Sequence, residues 1–189
     1  MLRRLDHLVY AVADLDVAAA DFASRFDLEM VGSGEHDGVG TANVLLSLGS
    51  SYLELMTVTD PASPHPLVRR LQVALSERDQ LIGFAIEVDD IKTEAARLGT
   101  TPIPMSRQGE LPGDWYLTGI ERAMAGVLPF FIQWQSGRPG STSRNRLSLV
   151  ELIGDLTELT SWIGGPVDGL ALGDGEPGLR AYLDDGSRI

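Results

Sequence analysis

The sequence predicts an α+β fold made of two copies of a strand-helix-strand-strand-strand module, followed by a shortened third unit. Three observations predict it. Leu5–Asp16, reading LDHLVYAVADLD, is an alternating strand that runs directly into a helix signal. Gly83–Ile91 (GFAIEVDDI) overlays His7–Leu15 (HLVYAVADL) without a gap, in its apolar positions and in the Asp that opens the following helix. Ser148–Leu156 (SLVELIGDL) repeats the rhythm once more, and self-similarity of this kind marks an internal repeat.

In the first module, residues 1–60, Leu5, His7, Val9 and Ala11 share one face of a strand while Leu8, Tyr10 and Val12 share the other. Two apolar faces indicate a central strand. Asp14 caps a helix whose Leu15, Ala18, Ala19, Phe22 and Phe26 form one apolar stripe at three- and four-residue spacing. Leu28–Val31 reads as a short strand, and Gly32–Gly40 is expected to be a mobile glycine-rich loop. Asn43–Leu48 and Tyr52–Val58 follow as strands joined by a turn at Gly49-Ser50-Ser51.

The proline-rich Asp60–Pro66 breaks the chain, and Leu67, Leu71, Ala74 and Leu75 predict a linking helix within residues 61–80. The second module, residues 81–135, opens with strand Leu81–Val88. Asp90 caps a helix carrying Ile91, Ala95 and Leu98, and Gly99 ends it in the left-handed conformation. Ile103–Ser106, Trp115–Leu117 and Leu128–Gln135 supply three strands, with Gln108–Asp114 as a long connection. Residues 136–146 read as a linker rich in Gly, Pro and Ser. In the third unit, residues 147–189, a strand over Leu147–Ile153 precedes a helix over Asp155–Ile163 with Asp155 and Glu158 spaced as a capping box. Strands near Gly169–Leu172 and Leu179–Leu183 complete it, one strand short of a module. It is expected to pack on the paired modules as part of one compact body.

Hydrophobic residues at 43% and charged residues at 22% are ordinary for a globular chain with a real core. The formal net charge of −12 opposes binding to nucleic acid, whose phosphates call for clustered Lys and Arg, and to an anionic membrane surface. With no cysteine, disulfides, thiolate metal sites and a Cys nucleophile are excluded, so a transition metal would need His, carboxylate, amide or water ligands. The chain lacks both a membrane-length apolar run and a signal-peptide cleavage pattern at its start, and a soluble cytoplasmic protein is expected.

Four stretches carry a resemblance: Asp6–Val12 with Asp14-Leu15, His36–Asn43, Tyr52–Leu55 (YLEL) and Pro129–Trp134 (PFFIQW). In this order, inside a repeat, they resemble the vicinal oxygen chelate superfamily of glyoxalase I, extradiol dioxygenases and bleomycin resistance proteins. Within it the chain is most similar to the glyoxalase-like domain family. The resemblance implies paired βαβββ modules forming a curved mixed sheet around a cup, plus the truncated third βαββ unit, and dimerisation as a habit of the superfamily. It also implies that metal ligands come from the first and fourth strands of each module, here His7, Glu54, Gly83 and Gln133. Gly83 carries no donor and Gln133 only a neutral amide oxygen, so Glu87 and His36 stand as substitutes.

His7 and Glu54 suit zinc, iron, nickel or manganese as ligands, or an acid–base pair that moves a proton next to a carbonyl. The plainer readings are a hydrogen-bonded core histidine, a Glu54 paired with an arginine and a solvent-exposed His36. Tyr52, Trp115, Tyr116 and Trp134 are candidates to stack on a flat ligand, and His36 and Asn43 to contact it. Arg107 beside the long connection is a candidate to hold a carboxylate or phosphate. The leading expectation is an enzyme acting on a small carbonyl or hydroxylated molecule as an isomerase, a lyase or a related catalyst. The alternatives are a protein of the bleomycin-resistance type that sequesters a small compound, and a structural domain whose cup is filled by its own side chains.

Overall fold

β1 (Arg3–Ala11) lies at the middle of the main sheet in a computed structural model that describes residues 3–36, 38–107, 112–140 and 143–189. It pairs in parallel with β4 (Ser51–Val58) and antiparallel with β5 (Gln80–Val88). Beyond β4 come β3 (Thr41–Leu48) and β2 (Met30–His36), each antiparallel to its neighbour. Beyond β5 come β8 (Phe130–Trp134), parallel to it, then β7 (Gly113–Thr118) and β6 (Ile103–Arg107), both antiparallel. The order β2-β3-β4-β1-β5-β8-β7-β6 is therefore one module set edge to edge against its copy, in a curled mixed sheet. α1 (Leu15–Phe26) follows β1 and α3 (Ile91–Leu98) follows β5, at matching places.

The repeated Asp does the same work twice. Asp14 accepts a hydrogen bond from the Val17 amide and Asp90 from the Thr93 amide, which satisfies donors that a helix start leaves without partners. α1 then buries Ala18, Ala19, Phe22 and Phe26 against the convex side of the sheet, where Leu8, Leu46, Leu53, Phe84, Ile86 and Phe131 form the main core. Each fully buried Leu or Phe there contributes about 1.5–3 kcal/mol. The expected linking helix is α2 (Pro66–Leu75), capped by the His65 imidazole, which accepts from the Leu67 amide. It does more than link. Leu71 and Ala74 pack on the concave side against Val9, Ala11, Met56 and Ala85, and α4 (Ile120–Ala125), which the sequence did not announce, adds Ile120 and Ala123. One end of the cup is thus closed by the chain itself.

Gly32–Gly40 is not a loop throughout. β2 continues to His36, which pairs with Thr41, and the turn is confined to the segment before Thr41, where Gly38 and Gly40 have φ of +74° and +93°. Gly32 and Gly34 sit opposite Leu45 and Asn43 on the edge of the sheet, where glycine lowers strand propensity but leaves room above its neighbours. Asp37, Gln108–Leu111 of the expected connection, and Ser141 and Thr142 of the expected linker lie outside the described residues.

The third unit has the expected element order, β9 (Leu147–Gly154), α5 (Leu156–Ile163), β10 (Leu170–Asp174) and β11 (Gly178–Leu183), in a separate three-stranded sheet. Its pairing differs from that of a module with one strand removed. β10 returns from α5 to lie parallel beside β9, whereas β2 returns from α1 to the far edge. Val150, Leu152, Leu159 and Trp162 join the main core, and the Trp162 indole donates to the Pro129 carbonyl at 2.7 Å. Arg3 and Arg97 donate to carbonyls in the last turn of α5 at 2.6 Å each, while both guanidiniums pair with the fully buried Glu94. Among the described residues no helix is long and apolar enough to cross a membrane.

Candidate functional site

Register decides which side chains meet. Directly paired residues in neighbouring strands share a face, and faces alternate along a strand. His7 pairs with Tyr52, Glu54 lies two residues further along β4, Asn43 pairs with Met56, and His36 pairs with Thr41. All therefore face the concave side. From the second module Trp134 pairs with Trp115, and Trp115 with Met105, which brings Trp115, Trp134, Met105 and Arg107 to the same side. Tyr116 and Gln133 pair with each other on the opposite face. Gln133 spans the turn before α3 there, donating to the Asp89 carbonyl at 2.7 Å and accepting from the Ile91 amide at 3.1 Å. Neither Tyr116 nor Gln133 reaches the cup.

The register also corrects the match between modules. The overlay that equates His7 with Gly83 equates Val9 with Ala85; Val9 pairs with Glu54, and Ala85 with Phe130. The second-module counterpart of Glu54 is Phe130.

Asp6 and His7 form the buried end of the site. A bulge in the β1–β5 ladder falls between Leu5 and His7, so two successive residues of β1 turn toward one side. Asp6 is completely buried, with Oδ2 at 2.7 Å from His7 Nδ1. Its Oδ1 accepts from the Trp134 indole at 3.1 Å and from Arg138 at 3.1 Å. Burial alone pushes the Asp6 carboxyl up, but the hydrogen bond and charge of His7, the Arg138 guanidinium and the Trp134 indole together hold it below the ordinary range. A charged Asp6 assigns the proton to Nδ1 of His7 and leaves Nε2 directed at Glu54 Oε2, 3.7 Å away. The imidazole is fixed by stacking on Tyr52 at 4.6 Å and by the edge of Phe130 at 5.3 Å. Burial, then the charges of Asp6 and Glu54, push the Tyr52 phenol well above its ordinary value and keep it neutral.

Glu54 is the more open partner. Its Oε1 accepts from Asn43 Nδ2 at 2.6 Å, Asn43 Nδ2 lies 3.3 Å from His36 Nε2, and His36 Nδ1 lies 2.7 Å from Thr41 Oγ1. A continuous polar chain thus runs from Thr41 to Asp6 across four strands.

Arg138 comes from the segment expected to be only a linker. Besides Asp6 it contacts Glu87 Oε2 at 3.1 Å and donates to the Ser50 carbonyl at 2.5 Å. Glu87 also accepts from Arg4 at 2.7 Å, so this substitute donor is committed to two arginines. Gly137 makes the approach feasible, since its φ is +64° and a Cβ would stand 2.0 Å from the Pro112 carbonyl oxygen. Arg107 donates to the Gly137 carbonyl at 3.0 Å and sits 5.8 Å from the centre of the Trp115 ring, itself 5.0 Å from Trp134.

Asp6 and Arg138 are the residues that sequence reasoning passed over. A carboxylate beside a histidine in an otherwise apolar strand was a usable signal for Asp6; Arg138 offered none.

The donors do not fit a resident divalent metal. His7 and Glu54 are two; Gly83 and Phe130 offer none, Glu87 is engaged, and Gln133 faces away. Among the described residues no group of three or more His, Asp or Glu can hold a metal ion. A hollow of about 380 Å³ opens beside His36 and Thr41, bordered by Asp60 and Ser63, and another of about 800 Å³ lies by Arg97, Arg122 and Trp162. Neither includes His7 or Glu54, which are brought together by strand register and hydrogen bonding rather than around either hollow.

The model of a glyoxalase-like domain family matches residues 5–161. Comparison with curated proteins finds no match. Among solved structures, a hypothetical protein from Staphylococcus aureus superposes with a TM-score of 0.68 at 17% identity, covering 93% of this chain and 87% of that one. Methylmalonyl-CoA epimerase from Mycobacterium tuberculosis gives a TM-score of 0.52 at 23% identity, over 69% of this chain and 86% of that one. A single-residue variant of the Streptomyces coelicolor methylmalonyl-CoA epimerase, in complex with 2-nitronate-propionyl-CoA, gives 0.55 at 18% identity, over 74% and 100%. At these identities the likeness is one of fold.

Proposed function

The chain belongs to the glyoxalase-like domain family, and on that premise we propose that it is an enzyme moving a proton on a carbon next to a carbonyl of a small molecule. One observation carries this reading: His7 Nε2 faces Glu54 Oε2 at 3.7 Å while charged Asp6 holds the opposite ring nitrogen. Glu54 takes the proton, the C–H electron pair passes to the carbonyl oxygen, and an enolate forms. The proton is shared between Glu54 Oε2 and His7 Nε2, where Asp6 stabilises an imidazolium. Its return to the same or a neighbouring atom completes an epimerisation or isomerisation; loss of a β-substituent from the enolate gives a lyase. Arg107 at the rim meets an anionic group of the substrate.

Proton exchange in D2O tests this. Loss of the α-proton NMR signal is expected for at least one member of a panel of 2-oxo acids, 2-hydroxy acids and acyl thioesters. Glu54→Gln should lower that rate by about 10²–10⁴ with the fold retained. A sequestering protein is the second reading, favoured by Trp115 and Trp134 at 5.0 Å on the cup wall. It predicts no exchange with any compound, together with saturable quenching of tryptophan fluorescence that Trp115→Leu abolishes.

A further inference from the structure

We propose that Asn43 and His36 are positioning residues for Glu54, with His36 acting only through the Asn43 amide. This rests on the reading of Glu54 as a base, and it concerns how that base is kept in its working state.

Two side chains use one amide nitrogen. Asn43 Nδ2 is 2.6 Å from Glu54 Oε1 and 3.3 Å from His36 Nε2, so its two hydrogens are directed at a carboxylate and at a ring nitrogen. The assignment is self-consistent. His36 Nδ1, 2.7 Å from Thr41 Oγ1, carries the ring proton and leaves Nε2 as an acceptor. The Asn43 oxygen lies on the Gly34 side, where a Cβ would come within 3.7 Å of it.

An asparagine amide turned through half a circle keeps its shape and exchanges its oxygen with its nitrogen. In the turned state Asn43 would set a carbonyl oxygen against Glu54 Oε1, two acceptors facing each other, and favour the protonated carboxyl. Glu54 cannot enforce the correct orientation unaided whenever its proton passes from Oε2 to Oε1, because a carboxyl protonated there donates to the turned amide. His36 can: its unprotonated Nε2 accepts only from the NH2 end. The imidazole thereby restores the amide between turnovers, and the amide restores the charge and direction of Glu54. No contact of His36 with substrate is needed. Thr41, nearly fully buried, completes the arrangement: with the Asn43 amide donating to Nε2, the Thr41 hydroxyl oxygen accepts from Nδ1.

The test uses two readouts on the whole chain. In 1H–15N spectra of the wild type, His36 should show a protonated Nδ1 and an unprotonated Nε2, and one Asn43 side-chain proton should lie downfield through its bond to Glu54. His36→Ala should remove that downfield proton, and His36→Gln, whose amide oxygen accepts as Nε2 does, should keep it. In the D2O exchange assay, Asn43→Ala and His36→Ala should each lower kcat by about tenfold to a hundredfold, the range for losing a hydrogen bond to a charged group, with KM little changed and with rescue by His36→Gln. A His36 protonated on Nε2, or an Asn43 proton indifferent to His36→Ala, overturns the inference whatever the activity. The expected spectra in a protein that exchanges no substrate would leave the positioning intact and defeat the enzyme reading instead. Full kcat in both alanine variants of an active enzyme overturns the positioning and leaves the enzyme reading standing.

Discussion

Asp6 and His7 are neighbours in sequence and also in the cup, with Oδ2 of the first 2.7 Å from Nδ1 of the second. Consecutive residues of a regular strand point to opposite faces, so the pair exists only because the β1–β5 ladder is bulged at this point. The irregularity builds the buried half of the site.

Replacing Asp6 by Asn keeps the volume and removes the charge that assigns the His7 proton. Turnover should fall by about ten- to a hundredfold in kcat. The same variant reports on stability. Asp6 is held below its ordinary value of 3.8, so it binds fewer protons folded than unfolded. Its contribution is complete above that value and is lost as the pH falls through the folded one. Urea midpoints measured from pH 7 to pH 2 should therefore decline more steeply in the wild type than in Asp6→Asn. Parallel curves would show that Asp6 contributes no such linkage.

Arg138 is the cation that Asp6 and Glu87 share. Arg138→Met leaves a fully buried carboxylate without it and should cost about 3 kcal/mol in urea unfolding. In an Asp6→Asn background the same change should cost clearly less, because the two positions are coupled. Strict additivity in that cycle would mean that Arg138 acts on Glu87 or the Ser50 carbonyl alone.

Two glycines should respond in opposite ways. Gly137→Ala forces a Cβ against the Pro112 carbonyl at a φ of +64° and should destabilise by about 2 kcal/mol or more. Gly83→Ala meets nothing within 4 Å and should be nearly neutral or slightly stabilising in thermal melts.

The strand register predicts a gain as well as losses. If Gly83 and Phe130 occupy the places of His7 and Glu54 in the second module, then Gly83→His combined with Phe130→Glu should assemble four donors facing one point. Calorimetry with zinc or nickel should detect binding that the wild type lacks, with a weaker effect in either single variant. Equal behaviour of the wild type and the double variant would refute the equivalence.

Much of the fold was legible because it is written twice. The Asp that caps α1 recurs before α3, and the alternating strand that carries His7 recurs as β5, so each copy corroborated the other. Strand period alone puts Tyr52 and Glu54 on one face of β4 and sends Trp115 and Tyr116, like Gln133 and Trp134, to opposite faces. Which member of each pair turns into the cup was not legible, since a shift of one residue in register exchanges the faces and no local pattern anchors β8. The glycines of β2 masked a strand that pairing stabilises on its inner edge only. Arg138 lay beyond local pattern, because its role depends on a chain segment crossing back over the sheet to a partner 132 residues away.

The seam between β1 and β5 joins two halves of one polypeptide. When such halves belong to separate identical chains, every substitution occurs on both sides of the axis, and a site on that axis must remain symmetric. Covalent connection removes the constraint. Here the first half has His7 and Glu54, while the positions related to them hold Gly83 and Phe130, and the second half contributes two tryptophans to the wall. One side of the seam is free to specialise in reactivity and the other in shape, a division of labour that no pair of identical chains can adopt.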